Sequence, residues 1–340
     1  MSQATSSPHG LLARAEQIAG EFELNSEDVA KIARHFVQHM KDGLQRHGAT
    51  QMPSFVTTMP SGAEKGLFLA VDLGGTNCRL KLGFTFSFTY ENESLSRGTM
   101  IQWDKGWDIP DAIGRDPCEM LQTAIDDLAL SVHVSALASD SVGTLMARAY
   151  TSTNDSNTLI GAIFGTGTNA AYVEKMPNVA KLQNRPEFQD HGPESIMIIN
   201  TEWGAFDEDM EVLPNTLYDN LLDESSANQK GQMLEKRISG LYLGELLRLV
   251  ICQLMEAKLL DMTVDKDSPL MSPHGIDNED IIDIGVDGSL FEFYPTFEED
   301  IRGALRDIPE IGPEGEKRIS MGLARDGSGV GAALVAQSIE

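Results

Sequence analysis

Basic residues are scarce in this sequence. Its 26 Lys and Arg residues stand against 52 Asp and Glu residues, a formal net charge of −26, and no segment is rich in Lys and Arg. Such a chain lacks the positive surface that the phosphate backbone of a nucleic acid requires, so we expect no nucleic-acid partner. An anionic ligand would have to be held locally, by backbone N–H groups, a few cationic side chains and a divalent cation.

Cysteines and long apolar runs are also few. Cys78, Cys118 and Cys252 lie far apart without C-x-x-C spacing, which argues against a zinc site and a disulfide framework. No run of about 18 apolar residues predicts a membrane span, and the first 20 residues lack the apolar core of a signal peptide. The sequence therefore predicts a reduced, cytoplasmic protein without a membrane partner, and it leaves the oligomeric state open.

The remaining composition is that of a folded globular protein. With 340 residues, 41% of them apolar, the chain can form two domains or one large α/β unit with two lobes. Apolar residues at helical spacing predict two amphipathic helices within residues 11–48, with the cap sequence NSED before the second. The segment 52–66, punctuated by Pro and Gly, predicts an extended connector.

Two segments share one pattern of strand, glycine turn and strand. They centre on DLGGTN (72–77) and FGTGTN (164–169). Their repetition favours an internally duplicated α/β architecture over the dinucleotide-binding fold, in which the glycine fingerprint opens a helix. Backbone N–H groups in such turns can hold phosphate, although a single turn is equally consistent with a structural role. A third candidate turn is GVDGS (285–289).

Further elements follow from periodicity and turn residues. Helices are predicted at 117–130 and from about Ser141, and strands at 131–138 and 195–200. The longer predictions are a helical stretch at 229–260 interrupted at Gly240, a loop at 261–280, a strand–turn–strand at 281–293 and a helix at the C-terminal end.

Ser139 and Asp140 follow the predicted strand 131–138, at the strand end where α/β sheets place their chemistry. Asp140 could accept a proton from a substrate hydroxyl. It could instead cap the next helix, and spacing alone favours the cap. Glu202 and Glu235 are likewise more often capping or surface carboxylates, although carboxylates and amides that converge on a pocket would suit a polyol.

Taken in order between residues 67 and 337, the sequence resembles the hexokinase family, and most of all its fungal glucokinase branch. The resemblance rests on the segments FLAVDLGGTN, LGFTFSF, VGTLMARAY, GTGTNAAYVE, INTEWGAF, EKRISGLYLGELLRLV, VDGSLFEFYPTF and GSGVGAALV. It implies a duplicated actin-like (ribonuclease H-like) ATPase fold with two lobes around a cleft. It also implies transfer of the ATP γ-phosphoryl group to the 6-hydroxyl of glucose or a related hexose, the first step of glycolysis.

The resemblance also assigns domains and residues. It implies N-terminal helices at 1–62 packing on the large lobe, a shortened small lobe at 63–140 and a shortened large lobe at 141–340. Asp140 takes the position of the general base, and Mg²⁺ is expected to be held through ATP rather than by a protein metal site. The sugar-binding positions are Ser87, Lys105, Ser139, Asp140, Asn169, Glu202 and Glu235. The nucleotide-binding positions are Asp72, Gly74, Gly75, Thr76, Asn77, Gly165, Thr166, Gly167, Gly288 and Ser289.

The chain departs from the family in two blocks. Several dozen residues that family members carry between the DLGGTN turn and GFTFSF are missing, so that Leu80 and Lys81 join the two motifs directly. A second, largely helical block is missing around 261–280. Loss of strands beside a phosphate turn would expose sheet edges.

Three single positions differ as well. Ser139 replaces a sugar-binding Asn, Thr89 replaces a Pro, and Asp104 replaces a Thr. Each loss of a buried hydrogen bond costs about 1–3 kcal/mol and would weaken sugar binding. The alternatives to a working hexokinase are a catalytically impaired sugar-binding, nucleotide-binding or regulatory protein, and a splice or gene-model product without a function of its own.

Overall fold

The computed structural model describes residues 8–48, 50–60, 70–74, 77–103, 109–151, 158–188 and 192–260, together with isolated positions between 299 and 335. Within these ranges the α-helices are α1 (Pro8–Phe22), α2 (Ser26–Gln45), α3 (Pro117–Asp127), α4 (Asp140–Thr151), α5 (Leu217–Ser225), α6 (Glu235–Ile238) and α7 (Gly240–Glu256). The strands are β1 (Met52–Pro53), β2 (Ala70–Gly74), β3 (Asn77–Thr85), β4 (Thr89–Ser94), β5 (Arg97–Gln102), β6 (Val132–Ala138), β7 (Ile160–Phe164), β8 (Thr168–Lys175) and β9 (Ile196–Asn200). Single 3-10 turns lie at Pro110–Ala112, Met176–Asn178, Ala180–Leu182, Pro186–Phe188 and Trp203–Ala205.

Side-chain caps fix where several helices begin. Asn25 Oδ1 accepts hydrogen bonds from the backbone N–H groups of Glu27 and Asp28 at 2.9 and 3.0 Å, which confirms the predicted cap of α2. Helix α5 begins with a capping box, in which the side chain of Thr216 accepts from Asp219 N and the side chain of Asp219 accepts from Thr216 N. These contacts satisfy N–H groups that have no partner inside the helix.

The first two predicted strand–turn–strand units, around 72–77 and 164–169, are hairpins. Strands β2 and β3 pair antiparallel with Gly74 opposite Asn77, and β7 and β8 pair antiparallel with Phe164 opposite Thr168. The first hairpin continues into a three-stranded sheet in which β3 runs parallel to β6. The second belongs to a four-stranded sheet in the order β1-β9-β8-β7, and β4 and β5 form a separate hairpin.

Strand β3 crosses the junction between Leu80 and Lys81 without interruption. Its first half pairs with β2 and its second half with β6, and the register shifts between Leu82 and Gly83. A shift of this kind is a β-bulge, which bends a strand locally and increases its twist. The two motifs that the junction joins therefore share one strand.

The chain divides into two compact units. The helical unit comprises Met1–Phe36, Gly204–Ile282 and Glu299–Ser320, and the sheet unit comprises Val37–Trp203, Asp283–Glu298 and Met321–Glu340. In the helical unit, α1, α5 and α7 bury Ile18, Tyr218, Leu222, Leu246 and Leu254 in one cluster. In the sheet unit, the central cluster joins α4 to β6, β8 and β9. The division into lobes at residues 63 and 141 stays a prediction.

The structure corrects one element and adds two. The predicted helical stretch 229–260 is helical only in α6 and α7, and its break lies at Ser239, whose backbone is extended, rather than at Gly240. Helix α5 and the β4–β5 hairpin were not predicted. The predictions for 261–280 and 281–293, and most of the C-terminal prediction, lie outside the described residues. Among the helices that the structure describes, none has both the length and the apolar character needed to cross a bilayer.

Candidate active site

Three segments of the sheet unit bring polar side chains together. Ser139 and Asp140 follow β6, Asn169 is the second residue of β8, and Asn200 ends β9 and leads into Glu202. Strands β8 and β9 are neighbours, with Ala171 opposite Asn200, and α4 packs on both. Three of the predicted sugar-binding positions thus lie in one hydrogen-bonded cluster, which we call the polar cluster: Ser139, Ser141, Asn169, Asn200 and Glu202.

Ser139, rather than Asp140, provides the cap of α4. Its Oγ accepts from Val142 N at 3.4 Å and its carbonyl from Gly143 N at 3.0 Å, whereas Asp140 is the first helical residue. The Asp140 carboxylate accepts from Ser141 N at 2.8 Å through Oδ1. A carboxylate in the first turn is stabilised by the helix dipole. Capping, which spacing alone favours for Asp140, is therefore done by its neighbour.

Glu202 is fixed from two sides through one oxygen. Its Oε1 accepts from Asn200 Nδ2 at 2.6 Å and from Asn169 Nδ2 at 3.1 Å. Its backbone has a φ of 49°, the left-handed region that costs a residue with a side chain about 1–2 kcal/mol. Such strain persists where the surroundings impose it, and it is concentrated at functional sites.

The glycine turn between β7 and β8 is tied to the same region. Gly165 N donates to Gly167 O at 2.9 Å, and Thr166 at the tip is exposed. At the base of the turn, Thr168 Oγ1 donates to Ile163 O at 3.0 Å and accepts from Trp203 Nε1 at 2.9 Å. Because neither glycine has a Cβ, a phosphate oxygen could approach the backbone of this turn, so its residues fit a nucleotide.

Ser87 lies in a segment that leaves β3 beside α4. Thr85 is opposite Ala138, and Phe86 N donates to Ala138 O at 3.0 Å, one residue before Ser139. The aromatic residues on either side of Ser87 contact each other, with ring centroids 5.3 Å apart for Phe86 and Phe88, and Phe88 contacts Trp103 at 4.6 Å. The half-buried Ser87 is thereby held near the start of α4.

The ring of Tyr90 contacts that of Phe86, with centroids 5.9 Å apart, and the charges of two acidic site residues act on its hydroxyl. Tyr90 is 3% exposed and packs with Cys118 and Leu137. Burial raises the pKa of Tyr90 well above its ordinary value, and the negative charges of Glu202 and Asp140 act in the same direction. The phenol is therefore a neutral group at physiological pH.

Glu235, the remaining predicted sugar-binding position among the described residues, belongs to the helical unit. It is 5% exposed and begins α6. The next residue, Lys236, is 2% exposed at its side chain and donates to Asp223 Oδ1 at 2.6 Å and to Asn228 O at 2.7 Å. A helix of one turn has little stability of its own, so these contacts hold it in place.

Several predicted nucleotide positions are described only in part. Asp72 and Gly74 lie on β2, and Asn77 begins β3. Gly75, Thr76, Gly288 and Ser289 lie outside the described residues, and so does the predicted sugar-binding position Lys105. In the parts of the chain that the structure describes, no three His, Cys, Asp or Glu side chains form a group able to hold a metal ion.

Sequence reasoning missed Asn200, Ser141 and Thr168. All three lie inside or beside motifs that were recognised, because Asn200 precedes Glu202 by two residues and Thr168 precedes Asn169. Ser141 follows Asp140. Asn200 ends β9 and Thr168 begins β8, whereas Ser141 lies in the first turn of α4. These places make each of them a candidate, but the contact that selects Asn200 is long-range.

Two family models, both described as hexokinase, match the chain. One matches residues 14–82 and 78–150, and the other matches residues 159–284 and 274–338. Each model matches in two segments, and the segments meet and overlap at 78–82 and at 274–284. The first contains the junction of Leu80 and Lys81, and the second overlaps the end of the segment 261–280 where we expected the second missing block.

Relatives of known name agree with these matches. The chain is 35% identical to a glucokinase from Aspergillus niger, over 96% of this chain and 97% of that protein. It is 30% identical to glucokinase-1 from Kluyveromyces lactis, over 94% of this chain and 97% of that protein. The alignment with the Aspergillus protein extends over 478 positions, whereas the chain has 340 residues, so at least 138 of those positions have no counterpart here.

A solved structure extends the comparison to the fold. The hexokinase from Schistosoma mansoni, solved in complex with glucose, superposes with a TM-score of 0.76 at 26% identity and covers 98% of this chain and 100% of its own. This neighbour confirms the predicted fold class, the actin-like ATPase fold. With the family models and the glucokinase relatives, it establishes that the chain belongs to the hexokinase family.

Proposed function

We propose that this chain transfers the γ-phosphoryl group of ATP to the 6-hydroxyl of glucose or a related hexose, with Asp140 as the general base. The observation that carries the proposal is the polar cluster at the start of α4, in which Asn169 and Glu202 share a hydrogen bond. Carboxylates and amides at fixed separations can recognise a polyol, because each hydroxyl both donates and accepts. The glucokinases and the glucose-bound hexokinase among its relatives support the same activity.

On the sugar side, we assign hydroxyl contacts to the residues that the family resemblance implies, which are Ser87, Lys105, Asn169, Glu202 and Glu235. Ser139 replaces the family's Asn, and its hydroxyl already contacts Ser141 and Val142 N. We therefore expect a weaker sugar contact at this position and a raised KM for glucose.

Asp140 removes the proton from the 6-hydroxyl of the sugar as the hydroxyl oxygen attacks the γ-phosphorus of ATP. Since Oδ1 already accepts a hydrogen bond from Ser141 N at 2.8 Å, Oδ2 is the oxygen that accepts the proton. In phosphoryl transfer the protein contributes chiefly by positioning the nucleophile and stabilising negative charge. The hydrogen-bonded start of α4 serves the first of these tasks.

On the nucleotide side, we assign phosphate contacts to the backbone of Gly165–Gly167 and to the turn of residues 72–77, and contacts with the nucleoside end to Gly288 and Ser289. Thr166 is exposed at the tip of its turn, where its hydroxyl can reach a phosphate oxygen. Mg²⁺ bound to the triphosphate would neutralise charge on the transferring group. The separated cysteines suit an enzyme that acts in the reducing cytoplasm.

The test is a coupled assay of glucose 6-phosphate formation on the purified full-length protein. We expect ATP-dependent turnover that is lost in Asp140→Ala and Asp140→Asn, because neither side chain can accept the proton. Asp127→Asn, at an exposed position at the end of α3, is the matched control and should keep full activity. Equal rates for wild type and Asp140→Ala would discard the proposal. Glucose-dependent protection in a thermal melt without turnover would support a sugar-binding protein instead.

A further inference from the structure

Asn200 is the centre of the polar cluster, and neither its position in the sequence nor the family resemblance assigns it a role. Its Oδ1 accepts from Ser141 Oγ at 3.1 Å and from Asn169 Nδ2 at 2.9 Å, and its Nδ2 donates to Glu202 Oε1 at 2.6 Å. Asn200 is 4% exposed and Ser141 is fully buried. The buried amide of Asn200 thus contacts two predicted sugar ligands, Asn169 and Glu202, and also Ser141 in the first turn of α4.

The direction of these hydrogen bonds follows from the chemistry of the groups. A carboxylate only accepts, so Glu202 requires the NH₂ group of Asn200 on its side, and this places Oδ1 towards Ser141 and Asn169. Ser141 has one hydroxyl proton, and it is used towards Asn200 Oδ1. In the 3.0 Å contact between the hydroxyls of Ser139 and Ser141, Ser139 is therefore the donor. The protons point in one direction, from Ser139 through Ser141 and Asn200 to Glu202.

We propose that Asn200 and Ser141 are positioning residues for the phosphorylation of the sugar. The inference rests on the proposed function and deepens it, because it states how the ligands of the sugar are held. Asn200 fixes the orientation of the Asn169 amide and of the Glu202 carboxylate. Ser141 connects that pair to the first turn of α4, where Asp140 begins the helix.

Two observations show why these ligands need such support. Glu202 has a left-handed backbone conformation, which a residue with a side chain adopts only under external restraint. Its 2.6 Å bond from Asn200 is a short, charge-assisted contact of the kind that provides such restraint. The Asn169 side chain is held from both ends, since its Oδ1 also accepts from Ala170 N at 2.7 Å. Small displacements of groups that orient a substrate reduce turnover strongly.

The substitution Asn200→Asp tests this inference with little change in volume. It replaces the donor that faces Glu202 by a second carboxyl group. Two carboxylates in contact cannot both ionise easily, so one of them has a raised pKa. At pH 8 the pair should repel, and kcat/KM for glucose should fall about 10- to 100-fold, the value of a hydrogen bond to a charged group. As the pH is lowered to 6, the introduced carboxyl group becomes protonated and donates a hydrogen bond to Glu202. The kcat/KM of the variant relative to wild type at the same pH should therefore recover.

Asn200→Ala and Ser141→Ala complete the test. Asn200→Ala should lose activity by a factor that does not change between pH 6 and 8, since it has no group to titrate. Ser141→Ala, the milder variant, should raise KM several-fold and leave kcat within about two-fold, because it loosens the ligands rather than the base. Asn184→Asp, at an exposed site of the same unit, is the matched control and should leave both constants unchanged.

The possible failures are distinguishable. Absence of turnover by the wild type would reject the proposed function. If the wild type turns over but the kcat/KM of Asn200→Asp relative to wild type is the same at pH 6 and pH 8, only the positioning role is overturned. A merely structural loss would not respond to protonation. An unchanged KM in folded Ser141→Ala would also overturn it. Thermal melts of all variants establish that each is folded.

Discussion

Leu80 lies opposite Val71 of β2 on one side and opposite Val132 of β6 on the other. Lys81 continues the same strand, opposite Ala70 and His133. Two residues that join motifs from separate parts of the family sequence are therefore consecutive positions in the central strand of a three-stranded sheet. At the junction itself the strand is hydrogen-bonded on both sides, so these two residues do not form an open sheet edge.

An insertion between Leu80 and Lys81 should consequently destabilise the protein. Four residues of Gly and Ser placed there would interrupt β3 where it pairs with both neighbours, and β2 would lose its register relative to β6. We expect a lower midpoint of thermal unfolding, measured by circular dichroism.

The same four residues inserted between Ala129 and Leu130 serve as the control. That site lies in an exposed turn between α3 and β6. Surface loops tolerate added length at small entropic cost, so the control should melt close to wild type. Equal melting of the two insertions would show that the junction is a loop rather than a paired strand.

Much of the site could be predicted because its residues sit in sequential motifs. Ser139, Asn169 and Glu202 each follow a recognisable apolar strand, and the structure brings them together. Asn200 could not be found in this way, since an amide that ends a strand looks the same whether it faces solvent or a buried carboxylate. What separates the two cases is the neighbour on β8, a long-range contact that no local pattern encodes.

The missed elements have equally specific causes. The β4–β5 hairpin turns at Leu95 and Ser96 and lacks the Asn-Gly or Asp-Gly pair that marks tight hairpins. Helix α5 is capped by Thr216 with Asp219 three residues later, where the usual capping signature has Glu or Gln. The break before α7 was misplaced by one residue because glycine is the usual helix interruption, whereas here Gly240 is helical and Ser239 is extended.

Gly161 of β7 should not tolerate a side chain. A Cβ placed there would lie 2.5 Å from Leu145 N and 2.6 Å from Leu145 Cα, so the backbone of α4 would have to move. We expect Gly161→Ala to lower the free energy of unfolding by about 1–3 kcal/mol, as overpacking in a core does. Because α4 carries Asp140, turnover should fall as well. Urea unfolding and the coupled assay measure the two effects.

Gly20→Ala is the matched control for this substitution. Gly20 lies in α1, and a Cβ there meets nothing within 4 Å. In a helix interior alanine is favoured over glycine by about 1 kcal/mol, so the control should be as stable as wild type or more stable. A Gly161→Ala protein with unchanged stability would contradict the close approach of β7 to α4.

Lys181 is a cation held in a partly desolvated position. Its Nζ donates to Thr50 O at 3.2 Å, and Glu91, which contacts His47 at 3.1 Å, is the acidic group that acts on it. Burial lowers the pKa of Lys181 from 10.5 to about 8, although the charge of Glu91 acts in the opposite direction. At neutral pH the folded protein therefore carries a charge that its surroundings disfavour.

The stability of the protein should respond to this charge between about pH 8 and 10.5. In that interval the unfolded chain keeps the proton on Lys181 and the folded protein releases it, so stability rises with pH. Below pH 8 both states are protonated, and the cost is fully present. Lys181→Arg, whose guanidinium stays charged, should lack the rise, and the wild type should gain on it by about 1–2 kcal/mol from pH 7.5 to 10. Lys181→Met removes the charge, so its advantage over wild type should shrink over the same interval. Urea unfolding at pH 7.5 and pH 10 measures the free energy of unfolding of the wild type and of each variant. If the differences between them do not change with pH, Lys181 is as well solvated in the folded protein as in the unfolded chain.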